Sequence, residues 1–294
     1  MRCVAAETDF ALKGGTAINL FVRDMPRLSV DIDLTYLPVA GRPESLAAIE
    51  AAIKRIAAAI QAKLRGARVT EVVNARQQIV TKLTVQRGDA QIKIEVTPVL
   101  RGCVFAPETR AVSTAVEDAF GYAEMQVVSF ADLYAGKIMA ALDRQHPRDL
   151  FDIRDLLAHE GIGEDLRRAF LVSHDRPMSE VLAPRRKDIA QEFSQGFDGM
   201  TVEPVPRAAL EAAREALIAT ITGGMPEAHR QFLLGFKLGE PDWGLVGLLD
   251  AAELPAVRWK QINLDKLSEA ARARLLDQLA AALARDGAPL EGLQ

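Results

Sequence analysis

The sequence predicts an α+β protein, with one sheet in its N-terminal part and a mostly helical C-terminal lobe. Up to about residue 97, strand-like segments surround a single long amphipathic helix in the order β, α, β, β, β, which differs from a run of βαβ units. From residue 129 onward, apolar residues recur at helical spacing. The 294 residues are enough for two domains, and we expect a sheet-containing core over residues 1–125 and a helical lobe over residues 126–294.

The first strand candidate, Leu28–Tyr36, carries charges that folding does not require. Its polar and apolar residues alternate, so Asp31 and Asp33 are expected on one face of the strand. At a separation of roughly 5 Å and an effective dielectric of about 20, the two carboxylates repel each other by about 3 kcal/mol. We therefore expect a positive charge between them. The opposite face is expected to hold the apolar residues Leu28, Val30, Ile32 and Leu34.

A turn and two helices are predicted on either side of this strand. The Gly14-Gly15 pair before it marks a turn, and Thr16–Val22 is expected to form a short helix. The segment Ser45–Leu64 after it is predicted to form a long amphipathic helix. The apolar stripe of that helix consists of Leu46, Ile49, Ile53, Ile56, Ile60 and Leu64.

Three further strands are predicted at Val69–Asn74, Ile79–Gln86 and Gln91–Thr97. The sequence "RGDA" between the last two contains a glycine and indicates a hairpin. In the last strand, apolar residues alternate with Lys93 and Glu95. Glu95 is therefore expected to bring a third carboxylate to a polar face of the sheet.

The C-terminal part is predicted to be helical. One helix follows a capping box formed by Ser129 and Asp132. Another begins at Pro147 and ends before Gly161. Two more are predicted over "RAALEAAREALIATI" and "LSEAARARLLDQLAAALAR". Two tryptophans in apolar surroundings are interpreted as core anchors of this lobe: Trp243 and Trp259.

Composition and charge exclude several classes of protein. The net charge of −4 argues against a dedicated duplex-DNA binder, so any contact with nucleic acid would be local. No apolar run approaches the roughly 18 residues of a membrane span, and the N-terminus lacks the apolar region of a secretory signal. Cys3 and Cys103 have no metal-site spacing and are expected to be reduced thiols of a cytoplasmic protein.

The acidic residues Asp31, Asp33 and Glu95, with no histidine among them, suit a hard divalent cation such as Mg²⁺, or Mn²⁺ in its place. Such an ion is commonly shared with substrate phosphates. The Gly14-Gly15 pair permits backbone N–H groups to approach a phosphate chain closely. A lone D-x-D or Gly-Gly pair is usually structural, and only the combination at this spacing is specific.

These residues resemble the motifs of a known family. The run "LKGGTAINLF", followed by "RLSVDIDLTYLP", is similar to the first motif of the AbiEii/AbiGii nucleotidyltransferase-like toxins, which belong to the DNA-polymerase-β-like nucleotidyltransferase superfamily. The family has four motifs, and all four occur here in the family order. The first is matched by Leu12, Gly14, Gly15, Asp31 and Asp33, the second by Glu95, the third by Leu133, Lys137 and Ala140, and the fourth by Arg148, Asp149 and Asp152.

The resemblance implies a polymerase-β-like nucleotidyltransferase core with a mixed sheet, followed by a mostly helical lobe. It implies a Mg²⁺-dependent toxin of a toxin–antitoxin or phage abortive-infection system, with a cognate antitoxin encoded nearby as its partner. The reaction would move a nucleotide from an NTP to an acceptor hydroxyl. Relatives point to the 3′ end of tRNA as the acceptor, where added nucleotides would block aminoacylation and therefore translation.

The resemblance also implies roles for individual residues. Asp31 and Asp33 would hold Mg²⁺ together with Glu95, which would also help to activate the acceptor hydroxyl. Lys137 would neutralise phosphate charge, and Asp152 would support the site from the helical lobe. The residues assigned to nucleotide binding are Lys13, Gly14, Gly15, Thr16, Arg27, Ser29 and Lys137.

Ordinary structural roles stay open for several residues. Lys137 lies in a largely apolar helix and is either a solvated lysine or partly buried against an anion. Asp149 is interpreted as a first-turn residue that the helix dipole favours, whereas Asp152 is the better functional candidate. The basic cluster at residues 185–187 is either a solvated face or a contact for RNA.

Two other functions stay open as well. One is nucleotidylation of a protein acceptor, which the near-neutral charge and the lack of a basic stripe favour. The other is a nucleotide-binding regulatory protein that does not turn over, which the presence of every motif residue disfavours.

Overall fold

The computed structural model describes residues 1–29, 31–172 and 176–284. Val30 and Arg285, which belong to the predictions for the first strand and the last helix, lie outside the described residues. The chain divides into two compact units, one formed by residues 1–133 and 200–203 and the other by residues 134–199 and 204 onward. The domain boundary that we expect between residues 125 and 126 stays a prediction.

The first unit contains a mixed seven-stranded sheet in the order β3-β4-β5-β2-β1-β7-β6. The pairs β2–β5 and β1–β7 are parallel, and the other neighbouring strands are antiparallel. The α+β prediction with a single sheet is therefore confirmed. The strands are β1 (Phe10–Lys13), β2 (Ile32–Tyr36), β3 (Arg68–Asn74), β4 (Ile79–Arg87), β5 (Ala90–Val96), β6 (Glu108–Ala111) and β7 (Glu124–Val127).

The helices of the first unit flank this sheet. Their bounds are α1 (Arg2–Ala5), α2 (Gly14–Ala17), which continues as a π-helical turn (Ile18–Val22), α3 (Arg42–Lys63) and α4 (Thr114–Phe120), and α5 (Phe130–Asp143) begins here. Helix α3 packs against β3 and β4. Ile49, Ile53, Ile56 and Ile60 of its predicted stripe are buried, whereas Leu64 is 38 % exposed just beyond the last turn.

Strand β2 begins later than predicted, since within the described residues it pairs with β5 from Ile32 and with β1 from Asp33. Its neighbour β1 ends at Lys13, where the chain turns into α2, and the other neighbour pairs only from Ile94 onward. The preceding segment instead pairs with residues distant in sequence, since the Leu28 N–H donates to the Met200 carbonyl at 2.9 Å. The placement of Leu28 on the apolar strand face is wrong, because this side chain is 52 % exposed.

Helices make up the second unit. Their bounds are α6 (Pro147–His159), α7 (Glu164–Val172), α8 (Met178–Leu182), α9 (Ala190–Gly196), α10 (Arg207–Gly223), α11 (Glu227–Leu238), α12 (Pro255–Asp265) and α13 (Glu269–Leu283), with the rest of α5 before them. Helix α6 begins at Pro147, and the N–H of Gly161 donates to the Leu156 carbonyl at 2.8 Å beyond its end. None of the described helices is long and apolar enough to cross a membrane.

The two tryptophans of the second unit differ in their surroundings. Trp243 lies with its ring centroid 5.1 Å from that of Phe232 in an edge-to-face arrangement, which fits an anchor role. Trp259 is 51 % exposed, as is its neighbour on α12, Ile262, at 52 %. The prediction that Trp259 is a core anchor is wrong, because apolar residues nearby in sequence do not place this side chain inside.

We expect Ile53→Ala to lower the free energy of unfolding of the first unit by about 2–5 kcal/mol, because it leaves a cavity under α3. The matched control is Leu64→Ala at the exposed end of the same stripe, which should change stability by less than about 0.5 kcal/mol. Urea denaturation followed by circular dichroism measures both. Equal losses in the two variants would contradict the packing of α3.

Candidate functional site

Four charged residues form one row across neighbouring strands of the sheet. Lys13 of β1 pairs with Asp33 of β2, Asp33 pairs with Glu95 of β5, and Glu95 pairs with Lys82 of β4. Register partners on adjacent strands project to the same face. These four residues, called the charged row below, therefore place two carboxylates side by side between two ammonium groups.

The two lysines balance the carboxylates from both ends of the charged row. Lys82 Nζ lies 3.2 Å from Glu95 Oε2, and Lys13 Nζ donates to Thr97 Oγ1 at 3.4 Å. Burial lowers the pKa of Lys13, and the negative charges of Asp33 and Glu95 act against this shift. Lys13 is thus a desolvated cation beside two acids, whereas Glu95 is about half exposed.

Gly14 allows the backbone to lie against the carboxylate of Asp33. Its φ is +75°, and a Cβ at this position would lie 2.6 Å from Asp33 Oδ2, so any other residue would clash there and be strained. A Cβ on Gly15 would lie 2.7 Å from Arg27 Nη2. The Gly-Gly turn therefore brings main-chain atoms next to an acid of the charged row, where a side chain would prevent it.

A hydrogen-bond network fastens the segment before β2 to this turn. The hydroxyls of Thr16 and Ser29 lie 3.0 Å apart, and Thr16 Oγ1 also donates to the Asp31 carbonyl. The buried Asn19 donates to the Gly15 carbonyl at 2.7 Å and accepts from the backbone N–H of Arg27 at 3.3 Å. Asp31 is thus positioned through its backbone by the glycine turn.

Arg27, which the resemblance assigns to nucleotide binding, makes structural contacts. Only 3 % of it is exposed, and its Nη1 donates to the Leu28 carbonyl at 3.0 Å. Its backbone forms an isolated antiparallel bridge with Thr201. A contact between Arg27 and phosphate stays a prediction.

The predicted site residues of the first unit lie together around the end of β1 and the start of β2. This group consists of Lys13, Gly14, Gly15, Thr16, Arg27, Ser29, Asp31, Asp33 and Glu95. Asp33 and Glu95 offer only oxygen donors, which fit Mg²⁺ or Mn²⁺. Among the described residues, no set of three His, Cys, Asp or Glu is arranged as a metal cage. The three-carboxylate metal site therefore stays a prediction.

Three charged motif residues of the second unit form an ion cluster with Arg144 between α5 and α6. Lys137 Nζ lies 2.9 Å from Asp149 Oδ1 and 2.9 Å from Asp152 Oδ2. Arg144 Nη2 donates to Asp149 Oδ1 at 2.9 Å. We call these four residues the α5–α6 ion cluster. Lys137 and both aspartates are buried, whereas the Arg144 side chain is 63 % exposed.

Asp149 is the central acid of the α5–α6 ion cluster. Burial alone would raise its pKa, but the charges and hydrogen bonds of Lys137 and Arg144 outweigh burial and hold the pKa well below its usual range. The interpretation of Asp149 as a simple helix-dipole residue is therefore incomplete. For Lys137, the structure confirms burial against anions, which are Asp149 and Asp152 of its own unit.

Sequence reasoning missed several partners of the predicted residues. Asn19 is the one polar residue in the apolar run "AINLF", and this pattern is only a weak signal of a buried hydrogen-bonding role. Lys82 and Arg144 are ordinary charged residues in sequence, and only strand register and helix packing reveal their partners. In the basic cluster, Arg186 Nη2 lies 2.7 Å from Glu215 Oε2, and Lys187 Nζ donates to the Asp143 carbonyl at 2.9 Å.

Comparison with known proteins decides the family. The sequence profile of the family described as "Nucleotidyl transferase AbiEii toxin, Type IV TA system" matches residues 1–262. The chain belongs to this family. Membership of the AbiEii family makes it a nucleotidyltransferase-type toxin of a type IV toxin–antitoxin system. The resemblance seen in the sequence motifs is therefore confirmed.

A solved structure supports the fold of this AbiEii-family chain. The chain is similar to MenT4, a nucleotidyltransferase toxin from Mycobacterium tuberculosis H37Rv, with a TM-score of 0.53 and 18 % sequence identity. The match covers 94 % of this chain and 85 % of the MenT4 chain. No curated protein sequence matches the chain significantly. At this identity the likeness shows a shared fold.

We expect Asp149→Asn to destabilise the second unit at pH 7 by about 3–5 kcal/mol, because it leaves Lys137 buried with one charged partner fewer. The folded pKa of Asp149 is depressed, so its stabilisation is present above the unfolded pKa of about 3.9 and is lost as pH falls toward the folded value. The difference between wild type and variant should therefore shrink by up to about 1.4 kcal/mol per pH unit below pH 4.

Denaturant unfolding at pH 7 and at acidic pH measures this difference. The matched control is Asp89→Asn, at an exposed aspartate in the turn between β4 and β5. A difference between wild type and Asp149→Asn that stays constant over this pH range would contradict the electrostatic role of Asp149.

Proposed function

We propose that the protein transfers a nucleotide from an NTP to the 3′ end of tRNA, with release of pyrophosphate. The observation that carries this proposal is the contact between the Gly14 backbone position and the Asp33 carboxylate, at the centre of the charged row. It puts a glycine turn suited to a phosphate chain beside acids suited to a divalent cation. Membership of the AbiEii family supports the reaction class.

The glycine turn and its neighbours are proposed to receive the triphosphate. Gly14 and Gly15 have no side chain that could block the backbone N–H groups of the turn from phosphate oxygens. The space beside the two glycines holds the Asp33 carboxylate and the Arg27 guanidinium. Lys13 adds a positive charge directly before the turn. The hydroxyls of Thr16 and Ser29 lie 3.0 Å apart next to the turn, and we propose that they contact the nucleotide.

The acids are proposed to act on both sides of the transferred phosphorus. A divalent cation held by Asp31, Asp33 and Glu95 would supply charge neutralisation at the triphosphate. The acceptor oxygen attacks the α-phosphorus, the bond to the bridging oxygen of pyrophosphate breaks, and the hydroxyl proton passes to the Glu95 carboxylate. Glu95 suits this role because it is about half exposed and is oriented by Lys82 at 3.2 Å.

The α5–α6 ion cluster is proposed to contribute Lys137 to the nucleotide phosphates. This assignment rests on the family resemblance, in which a lysine follows the acidic motifs. Asp152 is proposed to hold the Lys137 ammonium in place through their 2.9 Å contact. Asp149 contacts both Lys137 and Arg144. The two positive and two negative charges of the cluster therefore balance.

The acceptor and the biological role are the finer part of the proposal. Nucleotides added to the tRNA 3′ end would block aminoacylation and stop translation, in abortive phage infection or another toxin–antitoxin response, until a cognate antitoxin intervenes. A protein acceptor is the second candidate, because the net charge of −4 does not favour a long nucleic-acid contact. Both acceptors use the same attack on the α-phosphorus.

We expect the protein to transfer label from one α-labelled NTP to total bacterial tRNA in the presence of Mg²⁺ or Mn²⁺. Asp33→Asn should lower the rate at least about a hundredfold, since charge stabilisation at the transferring phosphate is worth several kcal/mol. The matched control Asp89→Asn should transfer at the wild-type rate. Gel electrophoresis of RNA and protein after each of the four NTPs measures the transfer.

The products separate the alternatives. Label on a protein band in place of RNA would contradict the tRNA acceptor and support protein nucleotidylation. Binding of NTP without any transfer would contradict the enzymatic proposal and favour a regulatory nucleotide-binding protein. Full activity of Asp33→Asn would contradict the assignment of the charged row.

A further inference from the structure

The second unit contains an apolar cavity of about 230 Å³. It is formed by the end of α7, the start of α8 and one side each of α11, α12 and α13. Its walls are mostly aliphatic and aromatic, and the side chains that define it include Met178, Phe232, Phe236, Leu264, Leu275 and Leu279. For comparison, an apolar protein cavity of about 150 Å³ is large enough to bind benzene. This cavity therefore has room for a ring with a substituent or for a folded acyl chain.

The polar groups that line the cavity are cationic. Arg176, Lys237 and Lys260 contribute to the lining, and none of the described lining residues is acidic. Lys260 Nζ donates to the Val172 carbonyl at 3.0 Å, and Arg176 Nη2 lies 2.7 Å from Asp143 Oδ1. Both of these cations are thus held by groups of the protein.

Lys237 differs from the other two cations of the lining. Within the described residues its ammonium group has no hydrogen bond or ion pair, and Glu180 acts on it only as a more distant charge. Burial lowers the pKa of Lys237, which reflects partial loss of solvation without a close anion. An anion placed at Lys237 would restore the missing interaction.

We propose that this cavity binds a small amphipathic carboxylate, with an aromatic or medium-chain acyl body inside and its carboxylate on Lys237. The body is favoured by the apolar walls, since the transfer of methylene groups from water into an apolar cavity is favourable. The head group is selected by the cationic lining. The cavity lies wholly in the second unit and takes no residue from the charged row, so this site is separate from the proposed transfer reaction.

Octanoate is a suitable probe, because its chain matches the apolar volume and its carboxylate matches Lys237. Trp259 lines the cavity and is half exposed, so its fluorescence should change as octanoate is added to the full-length protein. Trp259→Phe should remove most of this signal while calorimetry still detects binding. The neutral isostere 1-octanol reports on the apolar contribution alone.

We expect Lys237→Gln to weaken octanoate binding about tenfold, the usual effect of removing one charge-assisted hydrogen bond, and to leave 1-octanol binding unchanged. Lys266→Gln, at an exposed lysine that does not line the cavity, is the matched control and should bind both probes as wild type. Leu275→Phe fills the cavity and should weaken both probes.

Three outcomes would overturn the proposal. The first is no binding of octanoate to the wild-type protein by either fluorescence or calorimetry at millimolar concentration. The second is equal loss of octanoate and 1-octanol in Lys237→Gln, which would mean that the lysine does not select a carboxylate. The third is binding that Leu275→Phe does not change in a variant with a wild-type circular dichroism spectrum, which would place the ligand elsewhere.

Discussion

The register of β1, β2 and β5 is the constraint on which the candidate site depends. It sets Lys13, Asp33 and Glu95 side by side on one face of the sheet. A slip of one residue in either pairing would send one of these side chains to the other face. The same register brings Asp33 to Gly14, where the absence of a side chain leaves room for the carboxylate. Backbone pairing, and not side-chain contact, thus determines where the acids lie.

In both units, neighbouring carboxylates are balanced by cations. Two neighbouring carboxylates at roughly 5 Å repel by about 3 kcal/mol at an effective dielectric of about 20, and in the sheet Lys13 and Lys82 lie on either side of them. In the second unit, the α5–α6 ion cluster also pairs two cations with two acids, but it is more deeply buried. A triphosphate with its cation would add charges of both signs to the acids and Lys13, which suits a site that must bind and release a charged substrate.

Short-range sequence patterns correctly predicted the helices and strands whose residues carry a clear apolar pattern or helix-end signal. The strand-like segments of β3 to β5, the long helix α3 and the helix ends at Pro147 and Gly161 all have such signals, and the structure confirms these elements. Strand β1 has only four residues, which are too few to show a pattern. The first residue of β2 is set by where its neighbours β1 and β5 begin to pair with it. The pairing of Leu28 with Met200 and the ion pair of Lys137 with Asp149 join residues that no short-range pattern connects. The motif resemblance, by contrast, selected residues distant in sequence that the structure brings together around the end of β1 and the start of β2. Their role as a site stays a prediction.

Binding of Mn²⁺ together with a non-hydrolysable NTP, followed by electron paramagnetic resonance, tests the central claim most directly. The claim is that the charged row and the Gly14 turn form one site for a divalent cation and a triphosphate. Wild type and the control Gly196→Ala, whose new methyl group meets open space, should bind Mn²⁺ with the nucleotide. Gly14→Ala should lose this binding while keeping its circular dichroism spectrum, because the added Cβ would lie 2.6 Å from Asp33 Oδ2. Binding by Gly14→Ala as tight as that of wild type would contradict the account.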